Sequence, residues 1–220
     1  MTGLALAATA LKLHYGGDLV LDMPGLGAAA GSLTVLSGAS GSGKSSLLYL
    51  LSGLARPTTG TVSWGETDLS ALSEAGRDRW RRHHAGFVFQ DFHLIEEMTP
   101  LDNVLLPAWF SRISAAPLQD RARRLLEDLA VPLERRQTGL LSRGEQQRVA
   151  IARALLGDPA VIFADEPTAS LDRAAGAQVI AALQRLAAEG RTVIAASHDP
   201  ELRAVATAEI VLDHGRMVTA

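Results

Sequence analysis

Gly38-Ala39-Ser40-Gly41-Ser42-Gly43-Lys44-Ser45 decides the reading of this chain, because it fits the pattern G-x-x-x-x-G-K-[ST] and sits between the flanks that pattern requires. The apolar run Leu33-Thr34-Val35-Leu36 leads in. Ser46-Leu47-Leu48-Tyr49-Leu50-Leu51 leads out with helical character, so the whole reads as strand, glycine loop, helix. Glycines at 38, 41 and 43 let the backbone approach a phosphate closely, and the loop from Gly38 through Ala39, Ser40, Gly41, Ser42 and Gly43 to Ser46 is expected to turn its N–H groups towards it. Lys44 is then expected to neutralise the β- and γ-phosphates of a nucleoside triphosphate, and Ser45 to offer its hydroxyl to Mg²⁺. A Gly/Ser turn of this pattern also occurs without nucleotide, so the flanks and a matching acidic strand carry the weight.

That strand is present. Ala160 to Ala164 is a continuous apolar run, suited to a central parallel strand buried on both faces, and it ends in Asp165-Glu166. Open α/β sheets bind ligands at the carboxyl ends of their strands, which is where these two carboxylates fall. Asp165 is expected to partner Mg²⁺, directly or through another ligand, and Glu166 to polarise an attacking water as general base. A solvated acidic loop before Pro167 is the ordinary reading of an isolated Asp-Glu pair, and the preceding phosphate loop argues against it.

Further motifs follow in a fixed order: Tyr15 upstream of the loop, Gln90 after Gly86-Phe87-Val88-Phe89, Leu141-Ser142-Arg143-Gly144-Glu145, Ser170-Leu171-Asp172, and His198 after the apolar strand Thr192 to Ser197. With these the chain resembles the ATPase of ABC transporters over essentially its whole length. The resemblance implies an α/β fold of the P-loop NTPase type: a RecA-like core with an antiparallel β subdomain, and an inserted α-helical subdomain. It implies one domain over 1–220, with about 1–89 and 160–220 as nucleotide-binding core and about 90–159 as the helical part that carries the signature. ATP and Mg²⁺ are the implied cofactors, and ATP hydrolysis the implied activity.

Individual roles follow from the same resemblance and from side-chain chemistry. Tyr15 offers a ring on which adenine can stack, or else is a half-buried strand tyrosine. Gln90 can contact Mg²⁺ or the lytic water through its amide oxygen. His198 falls at the same sheet edge as Glu166, within reach of a γ-phosphate. The signature departs from the family's usual Leu-Ser-Gly-Gly-Gln at Arg143 and Glu145. Ser142 and the N–H of Gly144, which the family uses to hold the γ-phosphate across a dimer, remain, and the helix from Glu145 to Leu155 points its positive end there. Arg143 either compensates the added charge of Glu145 or points into solvent.

One loop and one signature in a chain imply a head-to-tail homodimer around two ATP molecules, with Asp172 carrying information across the interface. An integral membrane permease is the implied second partner, placing the chain in the cytoplasm, peripheral on the inner face of the cell membrane. The strings 86–90 and Asn103-Val104-Leu105-Leu106-Pro107 look most like the macrolide-exporter, lipoprotein-release and cell-division group, whose permeases work by mechanotransmission. A nutrient-importer ATPase shares the chemistry; a non-transport ATPase acting on nucleic acid or ribosomes is the other alternative. Phe92 and Leu94 are expected to form the permease-docking surface, with Ile95 if the loop is turned the other way, while a core placement of these side chains is the plainer reading.

Composition agrees. A chain of 220 residues, 47% apolar, can bury one substantial core, and its net charge of −3 gives no electrostatic case for nucleic acid. Cysteine is absent, which excludes disulfide and thiol chemistry. The apolar start Leu4 to Ala8 lacks a basic leader and runs on towards Tyr15 as a strand, so it is expected to stay in the protein. Short β-type runs dominate to about residue 66, helical character is expected from Gln90 to about Pro159, and strand and helix then alternate to a closing pair around His214-Gly215. Arg77, Arg79, Arg81 and Arg82 on a helix, and Arg135-Arg136 on a loop, read as solvated charge.

Overall fold

β1 (Leu6–Tyr15) and β2 (Asp18–Ala28) form a hairpin whose two-residue turn, Gly16-Gly17, has φ of 57° and 99°, a conformation that glycine adopts without steric penalty. The computed structural model describes residues 2–110, 116–133 and 137–218. After β3 (Leu33–Ser37) and α1 (Lys44–Leu51), the strands β4 (Thr59–Trp64) and β5 (Thr67–Asp68) complete an antiparallel sheet in the order β2-β1-β4-β5. Next come α2 (Glu74–His84) and β6 (Ala85–Val88). Three helices then intervene, α3 (Pro100–Phe110), α4 (Ala116–Asp128) and α5 (Arg143–Leu155), before β7 (Val161–Asp165). The chain closes with α6 (Arg173–Ala188), β8 (Thr192–Ala196), α7 (Pro200–Ala204), β9 (Ala208–Asp213) and β10 (Arg216–Val218).

The second sheet runs β10-β9-β3-β8-β7-β6, parallel throughout except for the edge pair β9–β10. Every residue of β3, β7 and β8 is buried, as a strand covered on both faces must be. The period of two decides which side chain serves which core. Leu33, Val35, Ile162, Ala164, Val193 and Ala195 pack under α3 to α7, while Leu36, Val161, Phe163, Ile194 and Ala196 face α1 and the antiparallel sheet. The fold is thus the α/β P-loop arrangement expected.

Helical character begins later than expected. Among the residues between β6 and Pro100 there is no helix: Phe92 and His93 have φ of 55° and 49°, so the chain turns there instead of coiling. The fully buried Asn103 pins this segment, its Oδ1 accepting from the N–H of Ile95 and its Nδ2 donating to the carbonyls of Ile95 and Thr99 and to Thr138 Oγ1. Arg77 and Arg81 also depart from the solvated reading: both are half-buried, Arg77 donating to the carbonyl of Leu72 at 3.1 Å and Arg81 to that of Gly53 while pairing with Asp78. Arg135-Arg136 lie outside the described residues. Among the described residues no helix is long and apolar enough to cross a membrane.

Candidate nucleotide site

Strand β3 ends at Ser37, and the six residues that follow curl back to start α1 at Lys44. Gly43 is the residue before the helix, at φ 101°, and a β-carbon there would come within 2.8 Å of Leu21 Cδ2, so both the turn and the packing require glycine. A β-carbon at Gly41 would meet nothing within 4 Å, which leaves the outer side of the loop open. The first N–H groups of α1 face this opening without intrahelical partners, as at any helix start.

Lys44 is only 7% exposed, so its charge must be partnered. Its Nζ donates to the carbonyls of Gly38 (3.0 Å) and Ala39 (3.1 Å) and lies 3.7 Å from Glu166 Oε1. Glu166 follows β7, with φ of 44° and its N–H bonded to the carbonyl of Ala196 at 2.8 Å. That left-handed backbone turns the carboxylate towards the loop. On its other side stands His198 Nδ1, at 3.0 Å from Oε2, on an imidazole that is largely exposed. Behind them the carboxylate of Asp165 is buried, receiving Ser45 Oγ–H at 2.9 Å and the Tyr49 hydroxyl at 3.2 Å. Burial holds the Asp165 carboxyl above the usual range, with the Glu166 charge adding; the bonds from Ser45 and Tyr49 and the charge of Lys44 oppose this without cancelling it. Burial, then the Asp165 charge, raises the Tyr49 phenol.

A cleft of about 550 Å³ joins these groups, and Gly38, Ala39, Ser40, Gly41, Gly43, Lys44, Ser45, Ser46, Gln90, Glu166 and His198 all line it, together with Val20 and Ala169. Ser42 does not. Its side chain is buried, with no hydrogen-bond partner for Oγ. Tyr15 stands outside the lining at the end of β1 and is 55% exposed, so the half-buried alternative does not hold. Ser142, Gly144, Glu145 and Asp172 are outside it too. Asp172 caps α6, accepting from the N–H of Ala175 at 2.9 Å. The donor set suits Mg²⁺. Among the described residues no cluster of three or more His, Cys, Asp or Glu forms a metal cage, while Ser45 and Gln90 face the cleft and Asp165 is bound to Ser45, and Mg²⁺ characteristically takes one or two protein oxygens with phosphate and water.

Several contacts went unforeseen. The signature turns out to hold a capping box: the N–H of Glu145 donates to Ser142 Oγ at 3.3 Å, and the N–H of Ser142 donates to Glu145 Oε2 at 2.7 Å. The signal S-x-x-E was legible at 142–145. Arg143 takes neither expected arrangement alone: although exposed, its guanidinium lies over the ring of Phe92, 4.9 Å from the centroid. Phe92 is buried and therefore not a docking residue; Leu94 is partly buried against the core, and Ile95 is exposed. Tyr49, one turn beyond Ser45 on α1, could have been placed on the same helix face. Gln147, fully buried and donating at 2.7 Å to the carbonyl of Pro167 just after Glu166, gave no sequence signal.

A family model described as ABC transporter matches residues 21–169. The macrolide export ATP-binding/permease protein MacB 1/2 of Paracoccus denitrificans is 43% identical over 91% of this chain; the chain spans 30% of that relative's length. The lipoprotein-releasing system ATP-binding protein LolD of Syntrophotalea carbinolica is 45% identical over 86% of the chain and 84% of its own length. Among solved structures, the dimeric post-hydrolysis state of the ATP-binding cassette MJ0796 bound to ADP and Pi superposes with a TM-score of 0.86 at 32% identity, covering 97% of each chain.

Proposed function

This chain belongs to the ABC transporter family and carries its ATPase cassette, and on that premise we propose that it binds and hydrolyses ATP to energise a separate integral membrane permease. The observation that carries this reading is the convergence of Lys44, Glu166 and His198 over the N-terminus of α1 in one cleft. Lys44 exchanges its internal partners for the β- and γ-phosphates, and the loop N–H groups from Gly38 to Ser46 hold the remaining oxygens. Mg²⁺, when bound, neutralises phosphate charge; Ser45, Gln90 and Asp165 are the residues that would hold it. Glu166 takes a proton from water as the water oxygen attacks the γ-phosphorus and the bond to the ADP oxygen breaks. His198 keeps the carboxylate aimed and contacts the γ-phosphate. Tyr15 stacks on adenine.

Ser142, Gly144 and Glu145 stand away from their own cleft, which favours a second copy whose bound ATP they close over, with Asp172 at the same interface. We assign the nucleotide-binding core to about 1–89 and 160–220 and the helical subdomain to about 90–159. The permease would dock in a groove of about 440 Å³ lined by Phe87, Phe89, Pro107 and Leu156, with the exposed Arg82 at its edge. Apolar lining and cationic edge suit a short helix with an apolar face and an acidic residue. This puts the chain on the inner face of the cell membrane. Likeness to MacB and LolD favours the export and mechanotransmission group. Nucleic acid has no part in this reading. Glu166→Gln tests it: ATP should still bind, turnover should fall about 10²- to 10⁴-fold, and light scattering should show a dimer held by ATP. Near-normal hydrolysis would place the base elsewhere.

A further inference from the structure

Two arginines of α5 reach back to the turn that follows Gln90. Arg153, whose charge is largely buried and whose pKa is lowered by that burial, donates to the carbonyl of His93 at 2.5 Å and to that of Phe92. One helix end away, at the first residue of α5, Arg143 covers the Phe92 ring. The turn they hold is one that the backbone does not favour on its own. Phe92 and His93 are consecutive non-glycine residues with φ near +50°, in a region that side-chain-bearing residues enter at a penalty and keep only when their surroundings impose it.

We propose that Arg143 is a positioning residue: by stacking on Phe92 it fixes the turn after Gln90 to the N-terminus of α5, so that Gln90 and Ser142 move as one body. The inference rests on the roles given above to Gln90 and Ser142. Gln90 faces the chain's own cleft, whereas Ser142 caps the helix that carries Arg143, so a rigid link between the two ties a group at one nucleotide to a group at the other. Arg153 anchors the turn's carbonyls, and Arg143 anchors its only fully enclosed side chain from the signature end. A guanidinium suits this better than an ammonium because its plane lies flat on a ring.

A double-mutant cycle on the full chain tests this, with Arg143→Ala crossed against Phe92→Leu, the latter keeping an apolar core residue so that the protein folds. A cation–π contact at a partly exposed site corresponds to about a 2- to 5-fold effect. Each single variant should lose about 2- to 5-fold in kcat with the Kd for ADP unchanged within about twofold, and the double variant should lose no more than either. Amide hydrogen exchange over 91–95 should quicken in Arg143→Ala, a readout that does not pass through hydrolysis. Arg143→Lys in the wild-type background should recover only part of the loss. If Arg143→Ala costs the same factor in the Phe92→Leu background, or if exchange over 91–95 is unchanged, Arg143 acts on the phosphate or on Glu145 and the proposal fails. Faster exchange over 91–95 together with unchanged kcat would keep the latch and instead remove the roles of Gln90 and Ser142.

Discussion

Gly144→Ala puts a methyl group where α5 touches α6, and the structure sets the size of the penalty. A β-carbon at 144 would lie 2.7 Å from Ala175 Cβ, whereas two carbons rest at about 3.5–4.0 Å, so the helix ends must separate by roughly 1 Å. Overpacking of this kind costs about 1–3 kcal/mol. Replacing a helical glycine by alanine returns about 0.5–1 kcal/mol of that, leaving a net loss of up to about 2.5 kcal/mol. In a chain of this size 1 kcal/mol moves Tm by about 2–4 °C, so calorimetry should show a fall of up to about 10 °C. The separation also drags Ser142 from its place, so ATPase activity should fall more steeply than stability, with ADP binding in the cleft unchanged. Ala175→Gly removes the opposing methyl and should restore activity in the double variant, although alone it weakens α6. Unchanged Tm and activity in Gly144→Ala would refute the close approach of the two helices. Failure of the double variant to recover would show that the clash is with something other than Ala175.

Lys44→Ala should abolish ATP binding in calorimetry; an unchanged affinity would dismiss the phosphate assignment. Glu145→Gln keeps an acceptor for the N–H of Ser142 and should leave stability nearly unchanged, whereas Glu145→Ala opens the capping box and should cost about 1 kcal/mol in urea denaturation; equal losses would mean that the charge, not the cap, matters. Asp158 feels burial, which raises its pKa, but the Arg191 bond and the Arg121 charge outweigh it, so its folded pKa is lowered. Its contribution is therefore present above the unfolded value of about 3.9 and lost as pH falls through the lower folded value. With Asp158 38% exposed, Asp158→Asn should cost about 1 kcal/mol or less at pH 7 and progressively less as pH falls through the lowered folded value; a loss independent of pH would not be electrostatic.

The glycine loop, the acidic strand and the alternation after Pro159 could be read from the chain because each is a local pattern with its own chemistry. β7 is five apolar residues ending in an acid, and such a run between turn signals has few other interpretations. The turn at 91–93 was not legible. Phe92 carries no local signal for positive φ, and the side chains that hold the turn, Arg143 and Arg153, lie some fifty to sixty residues away. The same holds for Gln147, a polar residue on a buried helix face whose partner is a backbone carbonyl across the fold. Long-range contacts of this kind leave no periodicity to detect. The capping box at 142–145 is different, since S-x-x-E before a helical run is a local pattern plain in the sequence.

Lys44 meets three oxygens inside the protein, two backbone carbonyls and one side of Glu166. Two of the ammonium's three protons go to the carbonyls and the remaining side faces the Glu166 charge, so the cation is paired within the protein. An incoming anion must therefore compete with an anion of the protein itself, and chloride or a lone carboxylate, carrying one charge, gains little by the exchange. A polyphosphate brings several charges at once and reaches the loop N–H groups as well. The cleft thereby filters by valence before it reads any base, and added monovalent salt, lacking a bare cation to occupy, should compete with ATP only weakly.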